Sequence, residues 1–370
     1  MLDDVRRVRE DSRGDDASEV VREVVRRFAS LGAAHATSFK LPSLQFDSLF
    51  GPRSLQPLQL GLTVRLAVSA RGSAWVPQRT RCLRVRTGLR ACAVLMVVMR
   101  VGVAGLGAVG YPVVAALARG SIPGLRLSAV SARDMARAAS RLQAIGHPAA
   151  YVPIVSPRQL CEHADVILEA LPPASFLEVA EPTLTAGKTL VALSATQVLE
   201  SQEALLALAS GSGGRIIVPS GALCGLDAVR AAAEGGRVRS VTMQTRKPPR
   251  SLQGAPLVAE QGVDLATLRE PVCLYSGSVR AAARLFPANV NVAAALSLAG
   301  IGPDLTQYEV WADPHVSHNT HVVRVEADES SFEVTVRGVP SEENPATGKL
   351  TPLSALATLR GLVATMRVGT

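Results

Sequence analysis

The stretch "WADPHVSHNTHVV" (311–323) carries three of the chain's six histidines, His315, His318 and His321, within seven positions. Imidazoles so closely spaced have three uses: converging on a metal ion, moving a proton near neutral pH, or tying a turn together by hydrogen bonds. A zinc site draws three or four converging ligands, usually with Cys or carboxylates at recognisable spacing. The five cysteines (Cys82, Cys92, Cys161, Cys224, Cys273) are dispersed and form no CxxC pair, so no metal is expected. The flanks "YEVWAD" and "THVVRVEA" are rich in β-branched and aromatic residues, which predicts two strands joined by a short polar loop from Pro314. Alternation sets His321 inward with Val323, Val325 and Ala327, and Arg324 and Glu326 on the other face. Taken alone, the segment reads equally as a hairpin with a structural histidine or as a strand end presenting a base.

Upstream, "GLGAVG" places Gly105, Gly107 and Gly110 at GxGxxG spacing between an apolar strand and a helix. The first glycine permits the tight turn, the second lets a pyrophosphate approach the backbone, and the third lets helix and strand pack closely. The N–H groups and positive dipole end of the helix then face the phosphates, with Ala108 and Val109 in the same turn. The next strand ends in "SARD". Asp134 suits the ribose hydroxyls of NAD and Arg133 a 2′-phosphate, which leaves the cofactor as NAD or NADP. Further on, "VPSGALCGLDA" holds Ser220, Gly221 and Ala222 in a small-residue turn that allows backbone to approach a flat ring. "TRKPP" sets Arg246 and Lys247 at a strand end, where a fixed cation could anchor an anionic substrate. "FPANVNVAAALSLAG" begins an apolar helix with Asn289 and Asn291, a residue type that commonly caps.

These residues need a scaffold, and the pattern from Met99 onward supplies one. "MRVGVAGLGAVGYPVVAALARG", "LRLSAVSARD", "ADVILEALP" and "KTLVALSA" are strands separated by helical stretches, which predicts a Rossmann-type, doubly wound parallel α/β sheet over 99–217. From 218 to 346, longer alternating strands ("RSVTMQTRKP", "TQYEVWAD", "SFEVTVRGV") predict a smaller α+β domain with a mixed open sheet. The segment 347–370 predicts a closing helix that packs back on the first domain. Residues 1–98 read as a leader, either poorly structured or reflecting a mis-assigned start ahead of Met99, apart from one candidate helix in "ASEVVREVVRRFASLG". Most of the chain's net charge of +8 lies there: residues 1–99 hold 16 Lys and Arg against 9 Asp and Glu, leaving 23 against 22 in the remainder. A nucleic-acid partner is therefore not expected. The apolar run "ACAVLMVVM" is too short to cross a bilayer, so no membrane partner is expected either, and the scattered cysteines fit a reducing, cytoplasmic setting.

In order and spacing, "GLGAVG", "PSGALCGLDA", "TRKPP", "NVNVAAALSLAG", "DPHVSHNTH" and "ENPATGKLT" resemble the L-aspartate dehydrogenase family, from about residue 99 to the C-terminus. The resemblance implies NAD(P)-dependent oxidative deamination of L-aspartate to iminoaspartate, then oxaloacetate and ammonia, or the reverse amination. It implies that His321 is catalytic and that Ala222 and Asn291 contact the cofactor. It gives His315 and His318 no role. Lys247 is a weaker candidate for a substrate carboxylate, and a homo-oligomer is expected. Two alternatives share the glycine loop. One is an imine reductase of the dihydrodipicolinate reductase type, whose different His/Lys signature is not found here; the other is a dinucleotide sensor without catalysis.

Overall fold

The computed structural model describes residues 62–68, 91–252, 258, 261–285, 290–343 and 348–369. The chain divides into two compact units, Met1–Val98 and Met99–Thr370. In the first, β1 (Leu62–Val68) and β2 (Ala91–Val97) pair antiparallel, Leu62 opposite Val97. The sequence reading had no strand there and took "ACAVLMVVM" only as a short apolar run. Both segments are rich in Val, Leu and Ala, and an isolated strand pair leaves no strand–helix alternation by which to recognise it. The helix expected over "ASEVVREVVRRFASLG" lies outside the described residues.

In the second unit, short runs of Val, Ile, Leu and Ala form five parallel strands: β3 (Met99–Ala104), β4 (Leu125–Ser131), β5 (Val166–Glu169), β6 (Thr189–Ala192) and β7 (Arg215–Ile217). Their order is β4-β3-β5-β6-β7, and a further parallel bridge, Val130 to Ile154, extends the β4 edge. Strand order reverses between β3 and β5. Such a switch point opens a crevice at the carboxyl ends of the strands, where α/β sheets bind ligands. Each face is covered, as parallel strands require. Val101 and Val103 of β3 join one apolar cluster with Val113, Val114 and Leu117 of α1 (Gly110–Ala118). Ala104 joins the other with Leu160 of the short helix α3 (Leu160–His163) and Phe176, while α2 (Met135–Ile145) follows β4.

The second sheet runs β12-β11-β8-β10-β9, built from β8 (Val238–Lys247), β9 (Val272–Ser278), β10 (Gln307–Ala312), β11 (Thr320–Ala327) and β12 (Ser331–Arg337). β10 lies parallel to β8; the other neighbours are antiparallel. One face buries Val241, Met243, Val323 and Val325 against helices that include α7 (Leu226–Glu234), α8 (Val279–Leu285) and α9 (Asn291–Ala299). The β10–β11 segment is not a hairpin: β8 lies between the two strands. Alternation cannot tell adjacent strands from strands separated by a third, because both arrangements bury the same face. Helix α10 (Leu350–Val363) sets Ala355 and Leu359 into the α1 side of the parallel sheet. Among the described residues no helix is long and apolar enough to cross a membrane.

Candidate active site

A cleft of about 1690 Å³ lies between the carboxyl edge of the parallel sheet and the second sheet. Its first wall is the glycine turn. Gly105 has φ +94°, and a side chain there would run into the Ala170 carbonyl; a side chain at Gly110 would strike the Gly105 carbonyl. Both glycines are required by the fold itself. Gly107 differs: a Cβ there meets nothing within 4 Å, because it opens into the cleft. Val109 N-caps α1, no side chain caps that terminus, and its first turn holds no acid. Uncapped N–H groups beside open space fit a pyrophosphate.

At the end of β4, Arg133 and Asp134 line the same cleft, as does Ser131, whose buried hydroxyl has no partner. Asp134 has a second occupation as the N-cap of α2, accepting from the Arg137 N–H at 2.9 Å. At the centre, Glu169 is fully buried at the tip of β5. It accepts from the Leu171 N–H at 2.7 Å, the Ser194 N–H at 3.1 Å and the Ser194 hydroxyl at 2.9 Å. Burial pushes its carboxyl pKa up, against these donors. The carboxylate thereby joins the β5 and β6 loops that floor the cleft.

The opposite wall carries the remaining candidates. Gly221, at φ +63°, turns the chain so that Ser220 and Ala222 line the cleft. Asn291 lines it too, but not as the cap of its own helix. Val290 occupies that position, and the Asn291 carbonyl oxygen accepts from the Thr196 N–H at 3.0 Å, in the first turn of α5 (Ala195–Glu200). Among the described residues its side-chain N–H groups have no acceptor. Asn289 lies outside the described residues.

On β8, alternation separates the two cations read from "TRKPP". Arg246 points to the far face, bonded to buried Asp313 at 2.8 Å and to Gln244 at 3.0 Å, and stacked on Trp311. Burial raises the Asp313 pKa, but the bonds from Arg246 and the His315 N–H outweigh it and hold the carboxyl below its usual range. Lys247 points into the cleft, and among the described residues no carboxylate pairs with it. Burial lowers its pKa.

His321, only 6% exposed, sits on β11 directly opposite Thr245 of β8, and its Nδ1 lies 3.0 Å from the Thr245 hydroxyl. Burial first, and then the Lys247 charge, lower its pKa to about 4. Tyr308 on β10 also lines the cleft, and burial pushes its phenol up to about 12. His318 is at the exposed rim beside Ser317, and His315 is exposed, 3.8 Å from Glu270. Among the described residues no three His, Cys, Asp or Glu side chains are grouped to hold a metal ion.

The cleft thus gathers Gly105, Gly107, Ala108, Val109, Arg133, Asp134, Ala222, Lys247, Asn291 and His321, with Gly110 packed behind the turn. Sequence reasoning missed Glu169, Thr245 and Tyr308. Of these, Thr245 had a signal, two positions before Lys247 on the same strand face; an acid ending an apolar strand marked Glu169 weakly.

Residues 105–219 match the family described as homoserine dehydrogenase, NAD binding domain, and residues 227–362 the family described as aspartate dehydrogenase, C-terminal. Over 270 residues the chain is 52% identical to L-aspartate dehydrogenase 3 of Bordetella bronchiseptica, covering 73% of this chain and 97% of that one. It is 47% identical to L-aspartate dehydrogenase of Bradyrhizobium diazoefficiens, covering 74% and 94%. The crystal structure of aspartate dehydrogenase from Thermotoga maritima superposes with a TM-score of 0.57 at 25% identity, over 73% of this chain and 99% of that one.

Proposed function

This chain belongs to the L-aspartate dehydrogenase family, an NAD(P)-dependent oxidoreductase, and from that premise we propose that it deaminates L-aspartate oxidatively with His321 as the proton-transfer group. The observation that carries the assignment is the pairing of a buried imidazole with a lysine, unpaired among the described residues, in the cleft that also holds the glycine turn. The nicotinamide, when bound, supplies the hydride acceptor for the aspartate Cα–H bond. Lys247 binds a substrate carboxylate, since a buried cation with no carboxylate partner among the described residues calls for an anion. His321 accepts a proton from water as the water oxygen attacks the imine carbon, and returns it as the C–N bond breaks to release ammonia and oxaloacetate.

Cofactor positioning follows the same geometry. Gly107, Ala108 and Val109 would hold the dinucleotide's pyrophosphate through their N–H groups, Asp134 or Arg133 its adenosine ribose, and Ala222 and the Asn291 amide would contact the cofactor from the opposite wall. The dispersed cysteines support a cytoplasmic setting, and we propose a homo-oligomer.

The test is a spectrophotometric assay with aspartate and each nicotinamide cofactor, on the wild type and on His321→Ala. A loss of roughly 10²- to 10⁴-fold in turnover with dinucleotide binding retained is expected, the range of a missing general base. Near-normal turnover in His321→Ala overturns the assignment. Dinucleotide binding by the wild type without aspartate oxidation makes the protein a sensor.

A further inference from the structure

We infer that Thr245 is the positioning residue for His321: it holds Nδ1 so that Nε2 is the ring nitrogen presented to the reaction. The inference rests on His321 as the proton-transfer group.

Two adjacent strands carry the two groups, β11 the imidazole and β8 the threonine. The backbone ladder therefore fixes their separation, and Thr245 and His321 are direct partners in the β8–β11 register. The Thr245 hydroxyl lies 3.0 Å from Nδ1. Thr245 is 0% exposed and His321 6%, so water does not compete for this bond.

A threonine hydroxyl has one proton to donate and lone pairs to accept with. Two arrangements are then consistent. In one, Nδ1–H donates to Thr245, and Nε2 keeps its lone pair. In the other, Thr245 donates to Nδ1 and the proton sits on Nε2, where it blocks acceptance of a proton from water. Only the first serves water activation. It also holds when Nε2 gains a proton, because the Nδ1–H of the resulting imidazolium is already donated to Thr245. The hydrogen bond at one ring nitrogen thus selects the chemistry at the other. This role demands a hydroxyl at position 245, whereas packing alone demands only a β-branched side chain of the same size.

The experiment compares Thr245→Val, Thr245→Ser and His321→Ala in the full chain, with ¹⁵N spectra of the wild-type histidine ring. Thr245→Val should lower kcat by roughly 10- to 100-fold while the KM for aspartate and NAD(P)H binding stay within about twofold. Thr245→Ser should recover most of the loss, and the wild-type neutral ring should carry its proton on Nδ1. Three results overturn the inference: kcat unchanged in Thr245→Val while His321→Ala is inactive, a serine variant no better than the valine one, or a wild-type proton on Nε2. The ring spectrum needs no variant and decides the matter even if a substitution impairs folding. Normal turnover in His321→Ala is a separate result, removing the base assignment and this inference with it.

Discussion

Burial and the Lys247 charge both depress the readiness of His321 to hold a proton, and this sets the pH behaviour of the site. In the free protein, kcat/KM should rise with pH as His321 loses its proton near pH 4. A substrate carboxylate on Lys247 cancels the lysine's effect on the ring. The corresponding rise in kcat, which reports the substrate complex, should therefore lie at higher pH; coincident profiles would contradict the coupling. Stability has a matching signature. The folded pKa is below that of an exposed histidine, so the unfolded chain binds a proton that the folded chain refuses. His321's contribution is complete above about pH 6.5 and is lost as pH falls toward 4. Melting temperatures of His321→Gln should accordingly fall less than those of the wild type between pH 7 and 4.5. Lys247→Met removes the anchoring charge and should raise the KM for aspartate with little change in dinucleotide affinity, as measured by NAD(P)H fluorescence.

Among the elements, the strand–turn–helix at 99–118 separates folding from binding residue by residue. Gly107→Val should leave the melting temperature near that of the wild type, because its Cβ points into open cleft, and should abolish dinucleotide binding. Gly105→Ala and Gly110→Ala should destabilise the fold instead, because each added Cβ meets backbone. Calorimetric binding alongside thermal melts distinguishes the two classes, and a Gly107→Val variant that binds NAD(P)H normally would remove this turn from the site. The start of α2 mixes the two roles. Asp134→Ala loses the cap and should cost about 1 kcal/mol, together with a larger loss of affinity for NAD than for NADP; Arg133→Ala should weaken NADP selectively. Glycine spacing made this element readable from sequence. The capping duty of Asp134 was not readable, since the same "SARD" serves a ribose contact or a helix start.

At the scale of the molecule, the family matches begin at residue 105 and the second compact unit at Met99. A chain starting at Met99 should therefore fold, bind the dinucleotide and keep its turnover; an insoluble or inactive product, with the longer chain active, would make residues 1–98 part of the enzyme. Local pattern alone determined the parallel sheet, the glycine turn, the inward face of His321 and the closing helix. Period-two and period-3.6 hydrophobicity, with turn glycines, acts over neighbours in the chain and needs no knowledge of distant segments. Tertiary structure decided what depends on which strands become neighbours. It set β8 between β10 and β11, so that the expected hairpin became a three-strand platform. It turned Lys247 into the cleft and tied Arg246 to Asp313 on the far face. It also gave His321 a threonine partner 76 positions away in the chain. Register between distant strands follows from burying whole faces together, and a linear sequence does not state which faces will meet.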